Sequence, residues 1–510
     1  MKILDCTLRD GGYYTNWNFN AQLVDAYIEA MNLLPVDYLE VGYRNNPNED
    51  YLGKFGYTPV SVLKHLRNTC RKKIAVMLNE KSTTTEDLSQ LLEPIQGLAD
   101  MVRLAVDPKN IDRAIILAAA VKAMGFEVGF NVMYMSKWSE MEGFLPKLSA
   151  IDDIADLFCM VDSFGGIRPD EVKTILAEVR KYTKVPIGFH GHDNLQLGLI
   201  NTVTAIDNGI DFVDATITGM GRGAGNLKME LLLTYLNKYN KLDVDFNVLG
   251  DVITVFSPLL EKYHWGTNLP YMLSGANNIP QKEVMDWVTN RVYSFNSIVR
   301  ALNNRKNNAE DNAKYPVLTV EKKFRQVIII GGGFNAIEHK DAIKEFVSAR
   351  PNTAMIFATA RHAKEYIDVK VPKFYCLVGS EGHRLTRNIG KEHFQGICIL
   401  PPYPRTMGTE VPDYAKNHTL ELRDIDFTEQ YKDSVTTIAL QLAMTLTDSN
   451  IYVIGYDGYP GNVLSEKEMA LTNENKAIFY AYNKTGRKQL KSLTPSIYKE
   501  LKVESVYQFI

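Results

Sequence analysis

Two short stretches, far apart in the chain, carry residue types that can bind a metal and polarise a carbonyl. The first is Arg9-Asp10, which follows Ile3-Leu4-Asp5-Cys6-Thr7-Leu8 and precedes Gly11-Gly12. A short apolar run ending in Thr, Arg, Asp and two glycines reads as a buried strand that delivers polar groups to a loop. The second is His190-Gly191-His192-Asp193-Asn194. In an extended segment, residues i and i+2 point the same way, so both imidazoles can reach one ion. Imidazole plus carboxylate suits a borderline-to-hard divalent cation such as Mn2+, Mg2+, Co2+ or Zn2+. Arg9 beside such a cation would hold the carboxylate and keto oxygens of a 2-oxo acid. Drawing electrons from that carbonyl stabilises an enolate, the intermediate for making or breaking a carbon–carbon bond. The plainer alternatives are an ion pair of Arg9 with Glu40 or Asp162 and, for an isolated His-x-His, a structural or surface role.

These groups are useful only if the fold brings them together. Strand-like runs recur at Ile3–Asp5, Tyr38–Gly42, Ile74–Leu78, Met101–Val106, Phe126–Tyr134, Leu157–Val161, Val185–Phe189 and Phe212–Thr216. Helical patterns lie between them: Asn20 caps a run with apolar Leu23, Val24, Tyr27, Ile28 and Met31, and Asp107-Pro108 opens another. Strands alternating with helices predict a parallel sheet. Eight such units match a (β/α)8 barrel of about 250 residues, with an open doubly wound sheet as the rival. In a barrel, functional groups gather at the carboxyl ends of the strands. Arg9, Asp10, Glu40, Arg103, Asn131, Asp162, Ser163, His190 and His192 all fall at or near such ends, and Gly219–Asn226 follows the eighth strand. Strands one and seven are separated only by strand eight in a closed ring, so Asn226 can complete a site made by Asp10, His190 and His192. The glycines of 219–225 lack the Lys-Ser/Thr of a P-loop and read as a close-approach loop shaping that site, with a phosphate cradle as the alternative. Glu40, Arg103, Asn131 and Ser163 are the candidate substrate-binding groups.

Composition narrows the class. The chain has 510 residues, 45% hydrophobic and 23% charged, with a net charge of −3, which fits a soluble protein of two or three domains and excludes a polyanion as an electrostatic partner. Five scattered cysteines without a CxxC pair fit reduced thiols in a cytoplasm and neither a disulfide framework nor a zinc cluster. There is no signal-peptide pattern, and no apolar run approaches the roughly 18 to 20 residues that span a bilayer.

Together, Asp5-Cys6-Thr7-Leu8-Arg9-Asp10-Gly11, His190-Gly191-His192-Asp193-Asn194 and Gly221-Arg222-Gly223-Ala224-Gly225-Asn226 resemble the DRE-TIM metallolyase superfamily (pyruvate carboxyltransferase, HMG-CoA-lyase-like) over about residues 1–300. Val102-Arg103 and Asp162-Ser163-Phe164-Gly165-Gly166 look most like its 4-hydroxy-2-oxovalerate aldolase branch. The resemblance implies a TIM barrel with Asp10, His190 and His192 as ligands to Mn2+ or Mg2+, Asn226 in or near the metal shell, and Arg9 as the enolate-stabilising group. The implied reaction joins or splits a 2-oxo acid, pyruvate above all, and an aldehyde, with a sugar-derived aldehyde among the options. An acyl-CoA-dependent Claisen-type synthase and a non-catalytic nucleotide-sugar-binding or assembly protein are the competing readings. The chain departs from the family at Gly12-Tyr13-Tyr14. The aldolases carry a His there and the synthases Glu-Gln. Tyr13 and Tyr14 are therefore the replacement acid/base candidates, or packing aromatics, and His264 or Tyr271 are further contributors.

The expected organisation is a barrel over 1–245, a helical segment over 246–302 that packs on or covers the barrel, a polar linker over 303–324, and a Rossmann-like α/β domain over 325–510. That last domain opens with Gln326–Ile330 and Gly331-Gly332-Gly333, and carries Gly455-Tyr456-Asp457-Gly458-Tyr459. It looks like a domain of bacterial surface-glycan proteins related to DUF115 and sialyltransferase-like folds. A nucleotide or phosphosugar at Gly331, Gly332 and Gly333 is one expectation, and a structural or oligomerising role is the other. The expected whole is a cytoplasmic enzyme, a homo-oligomer such as a dimer, without nucleic-acid or membrane partners.

Overall fold

A computed structural model describes residues 1–49, 51–290, 295–307, 313–405, 409–459 and 466–510. It divides into two compact units, Met1–Asp286 and Trp287–Ile510. The division falls inside the helical segment 246–302, and residues 308–312 of the expected linker lie outside the described residues.

The first unit is a closed ring of eight parallel strands: β1 (Lys2–Asp5), β2 (Tyr38–Tyr43), β3 (Lys73–Asn79), β4 (Met101–Val106), β5 (Glu127–Val132), β6 (Leu157–Asp162), β7 (Ile187–Gly191) and β8 (Phe212–Ala215). It is the expected TIM barrel, closed where Leu4 pairs with Asp214 across β1 and β8. The open sheet is excluded by that pairing.

The strands alternate strictly, and the alternation sorts their chemistry. Outward residues such as Leu39, Val41, Ile74, Val76, Val102, Leu104, Val128 and Phe130 pack into the main core under the helices. The inward set starts apolar: Leu4, Cys6, Tyr38, Ala75, Met101, Leu157, Cys159 and Phe212 form a separate cluster inside the barrel. Further along, the inward positions of β2, β4, β5, β7 and β8 turn polar, with Glu40, Arg103, Asn131, His190 and Asp214 all buried. The apolar layer is thus a floor, and a charged layer lies on it toward the carboxyl ends.

Most predicted helices form. Asn20 caps Ala21–Leu33 through its side chain and the Gln22 amide, and Asp107 caps the turn that leads into Ile111–Ala123. Phe246–Tyr263 packs its Phe256 edge-on against Tyr27 of Ala21–Leu33, and Leu269–Ala276 and Gln281–Met285 follow. The polar stretch after β1 is a pair of one-turn helices, Thr7–Asp10 and Gly12–Thr15, where an irregular loop was expected. Asp5 sets this turn: its carboxylate accepts from the Thr7 amide (2.8 Å), the Thr7 hydroxyl (3.0 Å) and the Tyr27 hydroxyl (2.6 Å).

The second unit contains a parallel sheet: β9 (Gln326–Ile330), β10 (Thr353–Phe357), β11 (Lys373–Cys376), β12 (Ile397–Leu400), β13 (Thr419–Glu421), β14 (Asn450–Ile454), β15 (Lys491–Ser492) and β16 (Lys502–Val503), in the order β13-β12-β11-β10-β9-β14-β15-β16. Apolar clusters cover both faces, as an α/β sheet requires. β13, β15 and β16 are two or three residues long, too short to leave a periodic signal. All five cysteines are buried free thiols. Among the described residues no helix is long and apolar enough to cross a membrane.

Candidate active site

A cavity of about 530 Å3 opens at the carboxyl ends of the barrel strands. Its wall includes Arg9, Asp10, Tyr13, Asn131, Ser163, His190 and His192 from the sequence-derived set, together with Tyr43, Tyr134 and Arg222.

Asp10, His190 and His192 converge, with one donor atom of each within 4.8 Å of the others. Each histidine is oriented from behind. His190 Nδ1 donates to Asp214 Oδ2 at 2.9 Å, and His192 Nδ1 donates to the Asp162 carbonyl at 2.7 Å. Both Nε2 atoms are left as lone-pair donors, the state a metal ligand needs. Burial, then the neighbouring His190, lowers the His192 pKa to about 4, so its ring is neutral near pH 7. For Asp10, burial alone would raise the pKa. Arg9 and the two histidines outweigh it and bring it to about 2, so the carboxylate is ionised.

Asn226 arrives from the glycine loop after β8 and donates Nδ2 to Asp10 Oδ2 at 2.6 Å. The loop is laced to the end of β7 by Asp193 N–H to Gly225 O (3.0 Å) and Leu227 N–H to Gly191 O (3.1 Å). A Cβ on Gly221 would lie 2.6 Å from Asn226 Nδ2, so this glycine is what lets the amide side chain in.

Arg9 spans both readings made for it. Its Nε donates to Glu40 Oε2 at 2.7 Å and its Nη1 to Asp10 Oδ1 at 2.6 Å, which is the ion pair anticipated as the alternative. Its Nη2 is buried and has no hydrogen-bond partner among the described residues.

Below lies Arg103, wholly buried, with Nη2 on Asp214 Oδ2 (2.7 Å) and Asn131 Oδ1 (2.6 Å) and Nη1 3.3 Å from Glu40. Gly129 leaves room for it, since a Cβ there would meet Arg103 Cγ at 2.8 Å. Glu40 and Arg103 therefore do not line the cavity, contrary to the substrate contacts expected of them. They form the charged layer that holds Arg9 and Asp214 in place. Asn131 and Ser163 do line it, and Ser163 Oγ accepts the Tyr134 amide at 2.8 Å.

The two tyrosines separate. Tyr13 lines the cavity, with its hydroxyl 3.0 Å from the Tyr43 hydroxyl and its ring under the Arg222 guanidinium, 3.7 Å from the centroid. Tyr14 faces away: its hydroxyl donates to the Gly223 carbonyl at 2.9 Å, and its ring packs beside Tyr263 and Trp265. Burial pushes its phenol far above the ordinary value. His264 and Tyr271 are not on the cavity wall either.

The donor set fits a divalent cation. Asp10 offers a carboxylate and the two histidines their Nε2 atoms, and the Asn226 Oδ1 atom is buried beside Asp10 without a hydrogen-bond partner among the described residues. Buried polar atoms are rarely left unpaired.

Three of the working residues carried no assigned role in the sequence reading: Asp214, Tyr43 and Arg222. Asp214 had a signal, as an acid at an inward position of the apolar run Phe212-Val213-Asp214-Ala215. Arg222 had one in its place within the glycine loop after the eighth strand, and Tyr43 in its place just past the second strand-like run, at the carboxyl end.

Gly331, Gly332 and Gly333 belong to the other unit. In this turn the Gly331 amide donates to Ile454 O (2.8 Å), the Gly333 amide to Gly455 O (2.8 Å) and the Asn335 amide to the Asp457 carboxylate (2.8 Å).

Residues 100–253 match the HMGL-like family model. The chain is 32% identical to the 4-hydroxy-2-oxovalerate aldolase of Thermomicrobium roseum over 269 residues, 51% of this chain and 73% of that protein. It is 30% identical to the enzyme of the same name from Bacillus thuringiensis over 268 residues, 51% of this chain and 77% of that one. Among solved structures, the N-terminal domain of a Bacteroides vulgatus protein assigned as an aldolase is 79% identical, with a TM-score of 0.57, and covers 59% of this chain and all (100%) of that domain.

Proposed function

The chain belongs to the HMGL-like family of carbon–carbon lyases, and on that footing we propose that its barrel is a divalent-metal-dependent aldolase acting through the enolate of a 2-oxo acid, pyruvate above all, with an aldehyde as second substrate. The observation that carries this reading is the convergence of Asp10, His190 and His192 beside the unpartnered Nη2 of Arg9. A cation held by these three residues, with Asn226 Oδ1 beside it, supplies Lewis acidity toward the carbonyl of the 2-oxo acid. Mn2+ or Mg2+ suits the mixed nitrogen and oxygen donors, and Co2+ or Zn2+ is compatible with them.

The protein's own groups do the rest. Arg9 Nη2 donates to the keto oxygen as negative charge develops there, while Glu40 and Asp10 hold the guanidinium at a fixed angle. Ser163 and Asn131 offer polar contacts on the wall for the acid. As the enolate forms, the methyl carbon of the 2-oxo acid gives a proton to water; Tyr13 Oη gives one to the oxygen of the aldehyde carbon as the new alcohol forms and regains its own from water, and cleavage runs the same transfers in reverse. Tyr43 orients that hydroxyl through their 3.0 Å contact.

The test is metal-dependent exchange of the methyl protons of pyruvate in deuterated water, followed by NMR. Asp10→Ala and His190→Ala should each abolish it. Exchange that persists after the metal is chelated would falsify the enolate mechanism.

A further inference from the structure

The ions on the cavity wall are unequally matched. Arg9 is paired with Asp10 and Glu40, Glu80 receives Arg113 and Asn110, and Asp107 caps the Lys109 amide at 3.0 Å. Lys81, Arg222 and Lys282 also line the cavity, and among the described residues none of their side chains makes a hydrogen bond or an ion pair. Lys81 and Lys282 are exposed at the mouth, so solvent satisfies them. Arg222 is different. It is partly buried and stacked on Tyr13; burial would lower its pKa, but Tyr13, Tyr43 and Asp10 outweigh it, so it stays cationic although no acid meets its fork among the described residues. The acid closest in role, Asp10, is already taken by Arg9 and Asn226.

The planar fork of Arg222 is left, among the described residues, without a hydrogen-bonded oxyanion, the partner that a guanidinium binds in bidentate fashion. The stacking on Tyr13 fixes where that oxyanion sits: next to the hydroxyl that handles the aldehyde oxygen, not next to Arg9. Opposite β7 and β8 in the ring, Asn79 at the end of β3 and Glu80, Lys81, Asp107 and Asn110 beyond β3 and β4 line the same wall, so the space beyond the 2-oxo acid is polar, with Glu80 already bound to Arg113. Exposed lysines at such a mouth raise the arrival rate of anions in a salt-dependent way.

We infer that the second substrate is an anionic aldehyde, bearing a phosphate or a carboxylate that Arg222 binds, with Lys81 and Lys282 steering it in. The inference rests on the aldolase reading above for its chemistry and on the unmatched Arg222 for its charge. Arg222 is then a specificity-determining residue, and Arg9 remains the group for the 2-oxo acid.

The experiment uses the full chain loaded with Mn2+ and compares pyruvate addition to glyceraldehyde 3-phosphate, succinic semialdehyde and neutral propanal. One of the charged aldehydes should exceed propanal in kcat/KM by about tenfold or more, as a charge-assisted hydrogen bond predicts. Which of the two does so distinguishes phosphate from carboxylate. Arg222→Gln should remove most of the preference and Arg222→Lys restore part of it, and added salt should shrink it. Equal kcat/KM for charged and neutral aldehydes overturns the inference. So does an Arg222→Gln variant that raises the KM of pyruvate in proton exchange while its aldehyde preference persists, because Arg222 then serves the 2-oxo acid. If no proton exchange occurs at all, the aldolase reading has failed, and calorimetry on the chelated protein decides the anion site alone. Glycerol 3-phosphate or succinate, but not glycerol, should bind the wild type and not Arg222→Gln; absence of binding by both anions overturns the site.

Discussion

His190 Nδ1 and Asp214 Oδ2 lie 2.9 Å apart, and the same carboxylate oxygen receives Arg103 Nη2 at 2.7 Å. The imidazole is thus fixed by an acid that is itself fixed from below. Asp214→Asn keeps the volume but lets the amide present either its oxygen or its NH2 to the ring. Mn2+ affinity measured by calorimetric titration should fall about 10- to 100-fold, the usual cost of losing such a supporting carboxylate. Unchanged affinity would show that His190 needs no such support.

Tyr13 and Tyr14 are adjacent in sequence and opposite in consequence. Tyr13→Phe removes the cavity hydroxyl, so kcat for aldol addition should fall by about 10²- to 10⁴-fold with a smaller change in the KM of pyruvate. Tyr14→Phe removes a hydrogen bond to the Gly223 carbonyl and should cost about 1 kcal/mol in unfolding free energy. If Tyr14→Phe is the variant that destroys turnover, the two roles are reversed.

Arg9→Lys tests whether the fork geometry matters. A lysine ammonium cannot meet Glu40, Asp10 and a ligand oxygen at the three positions that Nε, Nη1 and Nη2 reach. Steady-state kinetics should give a fall in kcat of about 10²- to 10³-fold, the cost of one oxyanion donor. Wild-type kcat in this variant would reduce Arg9 to a plain ion pair.

Burial pushes the Asp5 carboxyl up to about 6, against the hydrogen bonds from Tyr27 and Thr7 that pull it down. Between the ordinary carboxyl value near 4 and about 6, the folded chain therefore keeps a proton that the unfolded chain has released. Stability from this group is present below that window and is lost as pH rises through it, at no more than about 1.4 kcal/mol per pH unit. Asp10, brought to about 2, is silent there. Urea unfolding from pH 4 to 7 should show a steeper decline for wild type than for Asp5→Asn; parallel curves exclude the linkage.

The barrel was legible because its strands are apolar on both faces and its polar residues interrupt them at inward positions. The convergence of Asp10, His190 and His192 was legible because a His-x-His and an Arg-Asp each sat at a strand end, and pair geometry follows from period-two alternation. Glu40 and Arg103 illustrate the limit. An inward charge near a strand end can line the cavity or lie one layer beneath it, and strand register, which sequence does not show, decides which. Tyr13 and Tyr14 illustrate a second limit: one-turn helices carry no periodic signal, so the directions of their side chains depend on tertiary contacts with Tyr43, Arg222 and Trp265.

The donors of the candidate metal centre come from opposite ends of the barrel's chain, Asp10 just after β1 and Asn226 after β8, and they meet only where β1 pairs with β8. During synthesis, a chain on the ribosome that has not yet released residue 226 lacks part of this centre, however well its early strands have folded. A cation held there would bind the closed form alone, so its capture would report ring closure and it would act as a fastener across the last seam of the barrel to form.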